Sequence, residues 1–181
     1  CPCDEILRAV IADEDVEELF LRPLVDNIPS EAMATFSQLQ QDYQIPDEEA
    51  ISILSAVQHA FSTSRWSVPY NLALRLSNDT ALAYATPAAT FLHTIAAEFG
   101  NFGPSMNMLG VAYQFGHGVE PSQSQATYWL SMAVRAGNVD TMNNLGRDLL
   151  QQPVSLEDQA EARRLFRLAA SHGSNDGMVN Y

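Results

Sequence analysis

Apolar residues fall on helical periods along almost the whole chain. Ile6, Leu7, Val10 and Ile11 form one stripe; Val16, Leu19, Phe20 and Leu24 form a second, interrupted by Pro23. Ser30 stands as an N-cap before Met33, Phe36, Leu39 and Tyr43, which are spaced three, three and four apart. Pro46, followed by Asp47, Glu48 and Glu49, puts proline and acids at a helix start, and Ile51, Leu54, Val57 and Phe61 then mark its buried side. No segment alternates with period two, so the pattern predicts an all-α chain without β-sheet.

After a loop at 62–68 the pattern becomes paired. Helices are expected over 69–76 and 87–99, the second ended by Gly100. The next pair spans 104–115 and 123–136, joined by Gly116-His117-Gly118 and stopped by Gly137. A further pair spans 140–151 and 156–171, turning at Pro153-Val154-Ser155 and stopping at Gly173, after which 177–181 reads as the opening of another helix. The pairs also repeat in wording. Residues 89–101 return 37 residues later as 126–138, and the period then tightens to 36: Leu109-Gly110 returns as Leu145-Gly146, Ala126 as Ala162, Ala133 as Ala169, Gly137 as Gly173, and Met106 as Met142 and Met178. A helix-sized phrase restated at a fixed interval stacks one structural unit on itself, and such stacks present extended walls that bind other chains.

The order Leu109-Gly110, Tyr113, Gly116-His117-Gly118-Val119, Ala126, Trp129, Ala133, Ala136-Gly137 resembles the Sel-one-like repeat, a relative of the tetratricopeptide repeat with a longer, glycine-bearing turn. Small Gly110, Ala126 and Ala133 allow two helices to approach, while Leu109, Tyr113, Trp129 and Met132 fill the space around them. The later unit repeats the signature as Leu145, Gly146, Ala162, Ala169 and Gly173, but replaces the glycine turn by Gln151-Gln152-Pro153-Val154. The earliest unit has Ala73 in place of Gly110. The expected fold is therefore an acidic helical subdomain at 1–65 running into a right-handed α/α solenoid of about three such repeats: 69–103 (degenerate), 104–139 and 140–175, with another beginning at 176–181. The resemblance implies a scaffold or adaptor in a protein complex.

Charge narrows the partners. The 181-residue chain carries a net charge of −13, and residues 1–50 supply 13 acids against Arg8 and Arg22, leaving the rest of the chain nearly balanced. This disfavours nucleic acid and points to a protein or peptide partner, a basic one for the acidic third. A dedicated inhibitor or immunity-type protein, neutralising one enzyme or toxin with that acidic surface, is the alternative to the adaptor. No run is long and apolar enough for a membrane span. Cys1 and Cys3 are the only cysteines; Cys1 suits a lipid-modified bacterial N-terminus as well as a boundary cut upstream.

Reactive chemistry is sparse. The chain has no lysine, and His59, His93, His117 and His172 lie far apart without metal-ligand spacing. His93 reads as a half-buried packing residue and His172 as a helix C-terminal cap. Flanked by glycines, His117 reads as the accessible one. The run Asp13-Glu14-Asp15-Val16-Glu17-Glu18 lacks the calcium-loop pattern, and Gly103-Pro104-Ser105 is no nucleophile elbow. Asn78-Asp79-Thr80 is a glycosylation sequon that matters only in a secreted protein. No catalytic residue, metal or cofactor is expected. Partner-binding positions are carried over from tetratricopeptide grooves, two before, two after and five after the Leu of Leu-Gly: Asn107, Val111 and Gln114, then Asn143, Arg147 and Leu150. There an Asn side chain offers donor and acceptor to an extended backbone, and Arg147 offers a bidentate grip on a carboxylate.

Overall fold

The computed structural model describes residues 27–79, 81–150 and 155–173, with the backbone alone of residue 148. The two stripes before residue 25, the acidic run at 13–18, Cys1 and Cys3, Thr80 of the sequon, the turn at 151–154 and the opening at 177–181 lie outside the described residues. Eight helices follow one another among the described residues, with no strand: α1 Ser30–Tyr43, α2 Asp47–Thr63, α3 Ser67–Ser77, α4 Ala85–Glu98, α5 Gly103–Phe115, α6 Gln123–Arg135, α7 Val139–Leu149 and α8 Leu156–Ser171. The closest packing is within the pairs α3–α4, α5–α6 and α7–α8, which stack in chain order as an α/α solenoid.

Two details of the first helices differ from expectation. Ser30 is the first helical residue rather than the cap: Pro29 holds the cap position, makes no side-chain hydrogen bond, and its carbonyl accepts from Met33 N at 3.1 Å. In α2, Ile51 is 40% exposed, and Ala50, Ile53, Leu54, Val57 and Ala60 form the buried face. That helix is rotated toward its small residues because alanines let α2 approach its neighbours closely, and bulk alone is a poor guide to facing where Ala alternates with Ile.

One buried cluster runs from Ile28 through Phe36, Ile53, Val57, Ala73 and Leu92 to Ile95, so α3 and α4 share a core with α1 and α2. Phe36 meets Phe91 at 5.3 Å between ring centroids, and Phe61 joins Trp66 and Phe99 at 5.1 and 5.2 Å. A second cluster, Ala97, Met106, Leu109, Trp129 and Ala133, lies inside the α5–α6 pair. Helix ends follow local chemistry. Gly116, Gly118, Gly137 and Gly173 all take positive φ at or just after the ends of helices. Ser155 caps α8 with a reciprocal box, its hydroxyl accepting from Asp158 N at 3.0 Å while Asp158 Oδ2 accepts from Ser155 N at 3.1 Å.

Candidate protein-binding groove

The signature residues build the repeats from inside. Leu109, Ala126, Ala133, Ala162 and Ala169 are each at most 1% exposed, with Trp129 at 8% and Tyr113 packed against the cluster. Gly110 sits where a Cβ would come within 2.5 Å of Leu130 Cγ and Cδ2, and a Cβ at Gly146 would meet the Phe166 ring at 2.7 Å. Glycine at these crossings lets the second helix of each pair lie against the first. Ser122 caps α6, its hydroxyl accepting from Gln125 N at 3.4 Å.

Between α5 and α7 lies an open groove of about 470 Å³, its floor made by Leu130 of α6. Asn107, Val111, Gln114 and Phe115 line it from α5; Thr141, Asn144, Leu145 and Arg147 line it from α7. Four of the six positions carried over from the tetratricopeptide pattern, Asn107, Val111, Gln114 and Arg147, thus share one groove. Leu150 is 44% exposed but lies past the end of α7 and is not among the lining residues.

Asn143 corrects the expectation of a wetted wall. It is 5% exposed, next to Thr141 and Met142, both fully buried. Consecutive residues step about 100° around a helix, so three buried in a row mean that the start of α7 is enclosed on both flanks. The neighbouring carboxamide, Asn144, takes the exposed place, and its Oδ1 accepts from Arg147 Nη2 at 2.5 Å. Asn107 is also engaged. Thr141 Oγ1 lies 2.7 Å from Asn107 Oδ1 and 2.7 Å from Asn138 Oδ1, which in turn accepts from Thr141 N at 2.8 Å. Asn107 therefore links the first helices of adjacent pairs as well as lining the groove. Phe115, Leu130, Thr141, Asn144 and Leu145 were not anticipated there; the exposed aromatic Phe115 at a helix end was the one visible signal.

The histidines divide as their surroundings dictate. His93 is buried more deeply than expected, 3% exposed, with Nδ1 3.4 Å from Ser105 Oγ, the Tyr70 ring 5.6 Å away, and no hydrogen-bond partner at Nε2 among the described residues. Desolvation brings its pKa down to about 4, so the ring is neutral near pH 7. His172 caps α8, its Nδ1 3.0 Å from the Leu168 carbonyl. His117 is exposed and stacks on Phe115 at 5.8 Å and 28°. Among the described residues no three His, Cys, Asp or Glu side chains gather closely enough to hold a metal ion, and no helix is long and apolar enough to cross a membrane.

Comparison with known proteins found no match for the chain among curated proteins or solved structures. The Sel1 repeat matches twice, at residues 103–138 and 139–174, in register with the α5–α6 and α7–α8 pairs. Repeats of this kind are generally protein-interaction modules and typically non-enzymatic scaffolds. With its glycine crossings, its alanine seams and its 36-residue register all accounted for by that match, the chain carries two consecutive Sel1 repeats.

Proposed function

We propose that this protein is a non-enzymatic adaptor that assembles or regulates a multiprotein complex by holding a segment of a partner in the groove between the first helices of its Sel1 repeats. The observation that carries this reading is the convergence of Asn107, Val111, Gln114 and Arg147 on one open groove. Amides and a guanidinium over an aliphatic floor suit a polypeptide, whose backbone presents regular acceptors and whose side chains seek apolar contact. A photo-crosslinking residue at Gln114 tests it, with one at Arg163, on the exposed face of α8, as the control. Several subunits of one complex captured at Gln114 and not at Arg163 support the adaptor; capture at Arg163 alone moves recognition off the groove.

A second reading, a dedicated inhibitor of one enzyme or toxin, draws on the exposed Glu31, Asp42, Asp47 and Glu48 of α1 and α2, which add acidity without any basic residue between 27 and 50. One stoichiometric basic partner in the same experiment, rather than several subunits, favours it.

A further inference from the structure

We propose that the seam between the two Sel1 repeats binds an acidic polypeptide segment with an aliphatic centre, its apolar side chains seated on Leu130 and Leu145 and its carboxylates met by Arg147 on one side and Arg135 on the other. This rests on the docking reading above and specifies the ligand.

The groove of about 470 Å³ on the first-helix side does not end at the edge of the repeat. It shares Gln114, Leu130 and Leu145 with a recess of about 170 Å³ beside the α5–α6 turn, and that recess shares Ser131 and Leu145 with a cleft of about 540 Å³ between α6 and α8. Leu145 lines all three. Its counterpart one repeat earlier, Leu109, is 1% exposed, whereas Leu145 is only half-buried. The difference follows from the packing: α6 and α7 adjoin sparsely, whereas α4 and α5 are in close contact. The signature leucine is therefore left open on one side, in line with Leu130 and with Leu149 and Leu168 farther along the cleft. Half-open aliphatic side chains gain from covering by another apolar group.

The rim of the seam fixes the sign of what covers it. Among the described residues no carboxylate lines the first-helix groove or the recess, and the one lining the cleft, Glu161, is held by Arg164 through Nε at 2.8 Å and Nη2 at 2.7 Å. Among the described residues Arg147 hydrogen-bonds the neutral Asn144, and Arg135 Nη1 lies 4.0 Å from Met132 Sδ. Both guanidiniums are exposed and have no ion pair among the described residues. A planar fork at each mouth that is in no ion pair with a described carboxylate, with leucine between, is complementary to carboxylates flanking aliphatic residues. The stretch 103–173 carries five arginines against six acids, so the two repeats are themselves close to neutral. Charges beyond about 8–10 Å are screened at physiological salt, so the arginines at the mouths weigh more than charge farther off. The same near-balance gives a nucleic acid no cationic surplus to bind.

The test is fluorescence anisotropy with the full chain and two labelled peptides: a central leucine pair flanked by glutamates, and the same peptide with glutamines. The glutamate peptide is expected to bind roughly five- to tenfold more tightly at physiological salt, as two partly exposed, forked charge pairs allow. Arg135→Gln with Arg147→Gln should erase that preference without lowering the melting temperature, since both residues are exposed, and Ser131→Trp, which fills the recess, should block both peptides. Equal affinity of the two peptides, or an unchanged preference in the arginine variant, overturns the proposal while leaving the docking reading intact. Binding of neither peptide also overturns it, and the crosslinking at Gln114 then decides the docking reading separately.

Discussion

The Thr90 hydroxyl, on α4, donates to the carbonyl oxygen of His117 at 2.8 Å and so ties the helix before the Sel1 repeats to the glycine turn of the first repeat. The turn is seated tightly. A Cβ at Gly118 would lie 2.7 Å from the Thr86 carbonyl oxygen and 2.9 Å from Pro87 Cα, and φ there is +71°. Gly118→Ala should therefore destabilise by about 2 kcal/mol, because the obstruction is backbone that cannot rotate away. Thr90→Val should cost about 1 kcal/mol by leaving the His117 carbonyl without its donor. Urea unfolding measures both, and a Gly118→Ala variant as stable as the parent would contradict the seating.

Gly110→Val and Gly146→Val test the helix crossings inside the repeats. Each should lose about 2 kcal/mol or more, since the added methyls enter space held by Leu130 and by the Phe166 ring. Leu130 is half-buried and has some room to turn, whereas Phe166 is 1% exposed. The Gly146 variant should accordingly be the worse of the two in thermal melts; the reverse order would show that the second pair yields more readily than its packing suggests.

Buried His93 makes stability depend on pH. Its folded pKa of about 4 lies below the ordinary 6.5, so between those values the unfolded chain holds the proton more strongly and acidification favours unfolding. The contribution is fully present above pH 6.5 and lost as pH falls through 4, at most about 3 kcal/mol in size. Carboxylates titrate over part of the same range, so the informative quantity is the difference between the parent and His93→Phe. That difference should shrink from pH 7 to pH 4.5; parallel curves would mean that the ring takes up its proton without penalty.

Asn143 and Gln114 should separate stability from recognition. Asn143→Ala is expected to cost about 1–2 kcal/mol of folding free energy because it empties a 5% exposed site, whereas Gln114→Ala, on the exposed wall, should stay within about 0.5 kcal/mol. Partner binding should respond the other way, with Gln114→Ala weakening it at unchanged stability. A titration of the purified partner against both variants decides this.

If the acidic face of α1 and α2 docks a basic partner, association should slow steeply between low and physiological salt. Replacing Glu31, Asp42, Asp47 and Glu48 with their amides should flatten that dependence. Stopped-flow rates indifferent to both salt and substitution would remove the acidic face from recognition.

The all-α class, the paired helices and the 36-residue register were legible in the sequence because each rests on local chemistry: helical spacing of apolar residues, glycine where φ must be positive, and small residues where helices cross. Leu109, Ala126, Ala133 and Gly110 announced their packing by recurring as Leu145, Ala162, Ala169 and Gly146. Facing was less legible. Ile51 turned outward and Asn143 inward because a residue's exposure depends on how many neighbours flank its helix, a quantity set by chain segments far away in sequence. Thr141 and Asn107 are 34 residues apart and form one hydrogen-bonded link. Leu145 and Leu109 occupy the same repeat position, yet one is buried and the other half-open, since the repeat specifies the residue and the spacing of successive helix pairs specifies its cover. The seam, its arginine mouths and the buried imidazole of His93 are likewise products of that spacing, which tertiary packing alone decides.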